Sequence, residues 1–429
     1  MFSPGEFLTT LLRFHDNCPE FCASMDCIKK NTNPSTTRGF PKQFKPSRIM
    51  KTTVLAILSI SLLLGNAFAK PDKPKTKKKK PRIEVCFVLD TTGSMGGLIE
   101  GAKQKIWSIA NEMISSQPTP DIKLGLIGYR DRGDQYVTQV FDMTDDVDEV
   151  YGKLMKFQAQ GGGDTPESVN QALHESVEKM SWSKSRKVLK IVFLVGDAPP
   201  HMDYQDDVKY PAVCEMAVKH DLIINTVQCG TMGSTTPIWK KIAKLAEGEF
   251  VAIQQSGGVV AITTPYDEAI TKCNGKLGST VCAYGSISDQ KSALRKNSLA
   301  LSAPSEAAAD RAAFQSKSKL SGAASYKVIT GDQDLVALFE ENKLKWADVD
   351  EKKLPENLKK MSQKERESYL KKQIAERRSV QTELDDLLKK RQAFVTAEKK
   401  RLAETGKGDG FDAKVSEMIH QQAARKGLR

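Results

Sequence analysis

Between residues 83 and 284 the chain alternates short apolar runs with amphipathic stretches, and this alternation constrains the fold more than any other feature. Short apolar runs bounded by turn residues are typical of buried strands, and longer amphipathic stretches are typical of helices that cover a sheet. The alternation predicts an α/β fold that is doubly wound, with a mostly parallel central sheet flanked by helices. The expected strands are 83–90, 121–129, 136–143, 188–196, 221–228 and 249–253.

Helical patterns separate these strands. They lie near residues 97–116, 146–159, 166–181, 207–219, 235–247 and 265–273. The second and third strands flank a turn-rich stretch at Arg130 to Asp134, which predicts a hairpin and therefore one antiparallel edge strand. About 200 residues are enough for one domain with a full hydrophobic core.

Polar side chains follow the first of these strands at alternate positions. The apolar run that begins at Val85 ends in Asp90, and Thr92 and Ser94 come next. In α/β sheets the carboxyl ends of the strands are where binding sites form. One carboxylate and two hydroxyls suit Mg²⁺ or Mn²⁺ better than zinc, which prefers imidazole and thiolate. These three side chains are therefore candidate ligands of one divalent cation.

This Asp-x-Thr-x-Ser sequence resembles the first segment of the metal-ion-dependent adhesion site in von Willebrand factor type A domains. Two later segments extend the resemblance. Thr165, in a glycine-rich stretch, is similar to the second-loop threonine of that family, and Asp197, after another buried-type strand, is similar to its third-loop aspartate. The resemblance covers residues 83 to about 284 and implies a Rossmann-like domain. The metal ligands that it implies are Asp90, Thr92, Ser94, Thr165 and Asp197.

The resemblance also implies a function, namely protein binding. In this family the cation accepts a Glu or Asp carboxylate from a partner protein, for adhesion or for complex assembly. Two alternatives stay open: a regulatory or chaperone subunit of an enzyme complex, and a cell-envelope scaffold that acts through a basic helical tail. The sequence has no phosphate-binding glycine loop, nucleophile elbow or kinase signature, so we do not expect an enzyme.

Two residues beside the implied ligands have other expected roles. Asp164 adds a carboxylate next to Thr165, and we expect it to cap the following helix or to lie outside the first coordination sphere. His201 follows Asp197 by four residues, and a loop histidine in such a place is more often structural than metal-binding. Neither residue is included among the implied ligands.

Residues 50–69 have the pattern of a secretory signal peptide. Met50-Lys51 is a basic start, an apolar stretch follows, and Ala67-Phe68-Ala69 resembles a cleavage site. The apolar stretch is shorter than the ~20 residues of a membrane-spanning helix. We therefore expect a secreted or periplasmic protein of bacterial type, with cell-surface association left open. Residues 1–49 are then a mis-assigned or disordered upstream extension; the alternative is a genuine preceding domain.

Basic segments lie at both ends of the mature chain. Residues 70–82 form a leader rich in Lys and Pro, and the leader and the tail account for much of the formal net charge of +12. Such segments favour anionic partners, here an envelope polymer or a membrane surface. No aromatic or periodic pattern accompanies the lysines, so nucleic acid is not an expected partner.

The composition changes after Gly285 to Ser, Ala, Lys and Gln, which predicts a linker over residues 285–319. Residues 320–429 are expected to form a basic, mainly α-helical C-terminal extension, in which Ser362 and Glu365 match a capping box. Polar residues interrupt its apolar seam, so both a long helix or helical hairpin and a coiled coil remain open. These residues are Arg377, Gln381 and Arg391.

Cysteine spacing leaves one covalent question open. Cys273 and Cys282 flank a turn-rich stretch and would close a local disulfide in an oxidising compartment. Free buried thiols are the alternative.

Overall fold

The computed structural model describes residues 80–321, 333–405 and 410–429. The predicted upstream extension, the signal peptide and most of the Lys/Pro-rich leader lie outside the described residues. Within these ranges, no helix has the combined length and apolar character that crossing a membrane requires.

The described residues contain one six-stranded sheet with the order β3-β2-β1-β4-β5-β6. Its strands are β1 (Arg82–Asp90), β2 (Asp121–Tyr129), β3 (Thr138–Thr144), β4 (Leu189–Gly196), β5 (Ile223–Cys229) and β6 (Phe250–Ile253). All neighbours pair in parallel except β2 and β3, which pair antiparallel. The predicted fold class and the antiparallel edge strand are therefore confirmed. The strand order reverses between β1 and β4, and such a reversal opens a crevice at the carboxyl ends of the two strands.

Helices cover both faces of the sheet. In the described ranges they are α1 (Gly96–Ser115), α2 (Val147–Leu154), α3 (Val169–Glu178), α4 (Tyr210–Lys219), α5 (Thr235–Leu245), α6 (Asp267–Ser279), α7 (Ile287–Leu301), α8 (Ser305–Ser321), α9 (Leu335–Glu340), α10 (Glu356–Lys359), α11 (Gln363–Glu404) and α12 (Phe411–Arg425). Alternate residues of β1 enter two separate cores: Phe87 packs with α1 and α2, and Val88 packs with α3 and α4. Because both faces are covered, β1 and β4 are continuous apolar runs.

The structure differs from the predicted linker at residues 285–319, where helices α7 and α8 occur. Ser286 and Asp289 form a capping box at the start of α7. Alanine has the highest helix propensity, and the small residues Ala307 and Ala312 of α8 are buried against neighbouring helices. The Asn111 amide of α1 donates a hydrogen bond to the Asp310 carbonyl (2.7 Å). The low hydrophobicity of residues 285–319 therefore reflects small side chains in closely packed helices and not an exposed linker.

The last helix, α12, belongs to the core of the α/β domain. Phe411 and Val415 are buried in the same cluster as Phe87 of β1. The fully buried amides of Asn225 on β5 and Gln422 on α12 donate hydrogen bonds to each other, at 3.1 and 2.7 Å. The hydrophobic core therefore extends beyond the boundary predicted at residue 284 and includes the end of the chain.

The long helix α11 starts at the predicted capping box of Ser362 and Glu365. Its apolar residues pack within this chain: Val380, Leu384 and Leu388 lie in one cluster with Ile270 of α6. The two arginines that interrupt the apolar seam hold α11 in place through buried ion pairs. Arg377 donates to Asp334 (2.6 Å), and Arg391 donates to Asp267 (2.8 Å) and Asp310 (2.7 Å).

Replacing Arg377 with methionine is expected to destabilise the fold by about 3–5 kcal/mol, because it leaves the buried Asp334 carboxylate without its counter-charge. Arg378→Met is the matched control: the Arg378 side chain is 65% exposed and pairs with Glu340, so its loss should cost less than about 1 kcal/mol. Urea unfolding measures both free energies. Equal losses of unfolding free energy in the two variants would show that the buried ion pair does not stabilise the position of α11.

The disulfide considered for Cys273 and Cys282 is absent from the structure. Both residues are buried free thiols. Cys273 packs in the cluster between α6 and α11, whereas Cys282 packs with Leu335 of α9, so the two side chains belong to different parts of the core.

Candidate metal centre

Three loops meet at the carboxyl ends of β1 and β4. The first loop follows Asp90, the second is the glycine-rich stretch 160–167, and the third begins at Asp197. The amide of Gly93 donates to the carbonyl of Gly161 (3.1 Å), which joins the first and second loops. The amide of Glu167 donates to the carbonyl of Pro199 (2.9 Å), which joins the second and third. The structure therefore brings the three predicted segments together.

Asp90 is fully buried and has one carboxylate oxygen without a partner. Oδ1 accepts hydrogen bonds from the backbone amide (2.8 Å) and the hydroxyl (2.7 Å) of Thr92. Oδ2 has no hydrogen-bond partner among the described residues. Thr92 is also buried, and its hydroxyl lies 3.4 Å from that of the exposed Ser94. A buried carboxylate oxygen without a partner is costly, so this arrangement fits a cation at Oδ2.

Asp197 lies at the start of the third loop and is largely buried. Its Oδ2 accepts a hydrogen bond from the side-chain amide of Gln255 (2.7 Å), and the same amide donates to the carbonyl of Ser94 (3.3 Å). Gln255 therefore ties the third loop to the first. Sequence reasoning missed it, because a single glutamine after a short strand carries no signal of such a role.

Thr165 occupies the rim of the site. It lies in the second loop and is exposed, as is its neighbour Asp164. The loop is held on one side by the Gly162 amide, which donates to Asp134 Oδ2 (3.1 Å), and on the other by the buried Glu167. The five implied ligands thus divide into a buried group, Asp90, Thr92 and Asp197, and an exposed pair, Ser94 and Thr165.

Two buried polar groups that sequence reasoning did not assign lie beside Asp90. Glu167 has a carboxylate oxygen with no hydrogen-bond partner among the described residues. Tyr129 lies opposite Asp90 in the register of β1 and β2, and its hydroxyl also has no hydrogen-bond partner among these residues. Glu167 had a detectable signal, since it lies two residues after Thr165. Tyr129 had none, because it ends an ordinary strand. Only glycine fits at 196: a Cβ there would lie 2.5 Å from the Tyr129 hydroxyl and 2.9 Å from Asp90 Cβ.

The electrostatics of this cluster favour a positive charge. Burial raises the pKa of Asp90 to about 7, repulsion from Asp197 adds to the effect, and the hydrogen bonds from Thr92 oppose it. Burial, with repulsion from Asp90 and Asp131, raises the pKa of Glu167 to about 9. Burial, with repulsion from Asp90 and Glu167, raises the pKa of Tyr129. The metal-free site is short of positive charge, and its oxygen donors fit a hard divalent cation.

The metal-free protein is expected to lose stability as the pH rises from 5 to 8. Asp90 and Glu167 hold protons in the folded state that the unfolded chain has released above about pH 4, so the folded state binds more protons in this window. The free energy of unfolding should therefore fall with rising pH, by an amount on the order of a few kcal/mol. Urea unfolding in chelator at several pH values measures this.

The variants Asp90→Asn and Glu167→Gln identify which groups make the free energy of unfolding fall with rising pH. Each removes one raised pKa, so each should flatten the pH dependence relative to wild type. A wild-type profile with no downward slope, or variants that keep the full slope, would contradict the electrostatic description of the site.

The doubly wound sheet, with an Asp-x-Thr-x-Ser loop at the strand-order reversal and two further loops joined to it, is the arrangement typical of von Willebrand factor A domains. Residues 84–264 match the family model described as the von Willebrand factor A domain. This segment of the chain is therefore similar to von Willebrand factor A domains, whose general role is protein interaction.

Curated relatives match a part of the chain. Von Willebrand factor A domain-containing protein 7 of Homo sapiens is 32% identical over 140 residues, which are 32% of this chain and 15% of that protein. A putative ariadne-like RING finger protein, R811, of Acanthamoeba polyphaga mimivirus is 28% identical over 119 residues, 28% of this chain and 11% of that protein. The chain thus spans a small part of the length of these relatives.

Two solved structures match part of the chain. The SpRpn10 VWA domain is 13% identical with a TM-score of 0.32, over 41% of this chain and 89% of that one. Proximal thread matrix protein 1 from the mussel byssus, with a zinc-occupied MIDAS motif, is 16% identical with a TM-score of 0.31, over 41% of this chain and 42% of that one.

Proposed function

We propose that this domain captures a partner protein through a divalent cation, to which the partner contributes a Glu or Asp carboxylate. The observation that carries the proposal is the buried Asp90 carboxylate, whose Oδ2 has no hydrogen-bond partner in the described part of the chain, at the place where three loops meet. The proposed ligands are Asp90, Thr92, Ser94, Thr165 and Asp197. Mg²⁺ or Mn²⁺ is the proposed ion, because every one of these donors is an oxygen.

The distribution of charge and exposure supports an external carboxylate. Asp90 and Asp197 together balance the charge of one dication, while the hydroxyls of Ser94 and Thr165 are neutral and lie on exposed residues. An ion with few charged ligands attracts a further anion strongly, and hard octahedral ions usually keep exchangeable positions. The exposed rim therefore offers a partner access to the ion from one side.

Capture of acidic peptides tests this function. A library of immobilised peptides that contain Glu is probed with the full chain in Mg²⁺, in Mn²⁺ and in chelator, beside matched peptides with Gln in place of Glu. We expect binding to the Glu peptides that is lost in chelator and in Asp197→Asn. Capture that survives chelator, or that is equal for Gln peptides, would contradict the proposal.

We also propose that the protein is exported, as a secreted or periplasmic protein of bacterial type, and acts as a binding module and not as an enzyme. Residues 50–69 support export, and the basic leader and tail support attraction to an anionic envelope polymer or membrane surface. N-terminal sequencing of the natural protein checks this. A start near Lys70 supports export, whereas peptides from residues 1–40 would contradict it and favour the regulatory-subunit alternative.

A further inference from the structure

A second cluster of metal-ligating side chains lies beside the candidate metal centre. Asp131 follows β2, Asp164 is in the second loop, and His201 is in the third loop. One ligand atom of each side chain lies within 4.8 Å of the other two. Asp131 and His201 are buried and Asp164 is exposed, so the cluster opens to solvent on one side. None of these residues belongs to the implied adhesion-site ligands.

His201 directs a lone pair into this cluster. Its Nδ1 lies 2.8 Å from Asp203 Oδ1, and a carboxylate can only accept, so Nδ1 carries the proton. In the neutral ring Nε2 is then an acceptor. Nε2 lies 3.3 Å from Asp131 Oδ2 and has no hydrogen-bond partner among the described residues, although His201 is only 6% exposed. Two acceptors that face each other in a buried place repel, unless a cation lies between them.

Neighbouring side chains hold both groups in position. The rings of His201 and Tyr204 are stacked, with centroids 4.1 Å apart and planes 12° apart. The Tyr204 hydroxyl donates to Asp131 Oδ2 (2.9 Å), and the Ser168 hydroxyl donates to Asp131 Oδ1 (2.7 Å). Each carboxylate oxygen keeps a further lone pair for a metal. A ring N–H that donates to a carboxylate, as Nδ1 does to Asp203, is the usual outer contact of a metal-binding histidine.

We propose that Asp131, Asp164 and His201 form a second divalent-metal site, which prefers Zn²⁺ and takes water as the remaining ligand. One imidazole and two carboxylates suit zinc better than Mg²⁺, which is bound through oxygen alone. The separation of 3.3 Å between His201 Nε2 and Asp131 Oδ2 is close to the edge of a tetrahedral zinc site, about 3.3 Å for bonds of about 2.0 Å. Because Asp164 adjoins Thr165, zinc here would fix the second loop at the rim of the first site.

Zinc titration in the presence of saturating Mg²⁺ tests the proposal. The full chain is stripped of metal with chelator, loaded with Mg²⁺ and titrated with Zn²⁺ by calorimetry. In a separate titration Co²⁺ replaces Zn²⁺, because the visible absorption of bound Co²⁺ reports an imidazole ligand. We expect one tight equivalent in wild type and at least a 100-fold loss of affinity in His201→Gln and in Asp164→Asn. Asp164 is exposed, so its variant keeps the fold, and circular dichroism checks both.

Two further variants separate this site from the first. His220→Gln, an exposed histidine at the end of α4, is the matched control and should bind Zn²⁺ as wild type does. Asp90→Ala removes the proposed Mg²⁺ site and should keep the tight zinc equivalent. The proposal is overturned if folded wild type binds no zinc tightly, if His201→Gln and Asp164→Asn bind it unchanged, or if only Asp90→Ala loses it.

Discussion

Replacing Asp90 with asparagine is expected to abolish Mg²⁺ binding without weakening the metal-free fold. The carboxylate is fully buried, and its charge is opposed by burial and by Asp197. The neutral amide keeps the shape, and its oxygen still accepts from Thr92. At pH 8 the metal-free variant should therefore unfold at the same or a higher urea concentration than wild type. Wild type should gain about 2.7 kcal/mol at an Mg²⁺ concentration 100 times the dissociation constant, and the variant none.

Calorimetric titration of Mg²⁺ and urea unfolding measure the two parts of this prediction. Asp90→Ala and Asp197→Ala should also show no binding heat. Asp386→Asn is the matched control, because it removes a carboxylate from a side chain on α11 that is two-thirds exposed. It should bind Mg²⁺ as wild type does. Equal heats for wild type and Asp90→Asn would remove Asp90 from the proposed ligands.

Removal of residues 410–429 is expected to unfold the α/β domain, although the match to the family model ends at residue 264. Helix α12 buries Phe411, Val415 and Ile419 in the core that contains Phe87, and Gln422 pairs with Asn225. One Phe→Ala change in a core costs about 3–5 kcal/mol. A domain has a total stability of about 5–15 kcal/mol. Loss of the whole helix therefore exceeds the available stability.

The single variant Phe411→Ala tests the same contact within a folded protein. Phe411 is buried against Phe87, with ring centroids 6.3 Å apart, so we expect a loss of about 3–5 kcal/mol in urea unfolding with Mg²⁺ affinity unchanged. Phe394→Ala on the exposed side of α11 is the control and should cost less than about 1 kcal/mol. A truncated chain that ends at residue 409 and unfolds at the wild-type midpoint would show that α12 is dispensable.

The strands were predictable from the sequence because their signal is local. The run 121–129 is β2 as predicted, and β1 and β4 begin within one residue of the expected positions. Burial on both faces of a parallel strand demands a continuous apolar run, and turn residues mark its ends. Polar residues at those ends, such as Asp90 and Asp197, were recognisable for the same reason.

The C-terminal half was less predictable because its helices are stabilised by partners far away in the chain. Small alanines in α8 indicated a linker, yet they pack closely against α1 and α6. Arg377 and Arg391 looked like breaks in an apolar seam, yet each is an ion-pair anchor whose partner lies on another element. A sequence pattern shows that a residue is polar, but not whether a counter-charge faces it.

The sequence by itself determined the order of strands and helices in the α/β domain and the three loops that carry oxygen-bearing side chains. Each of these features depends on residues close together in the chain. Only the tertiary structure decided that Gln255 joins two of these loops, that Glu167 and Tyr129 are buried beside Asp90, and that His201 faces Asp131. These contacts join residues from separate elements. Their distances follow from how helices and strands pack, which no local pattern specifies.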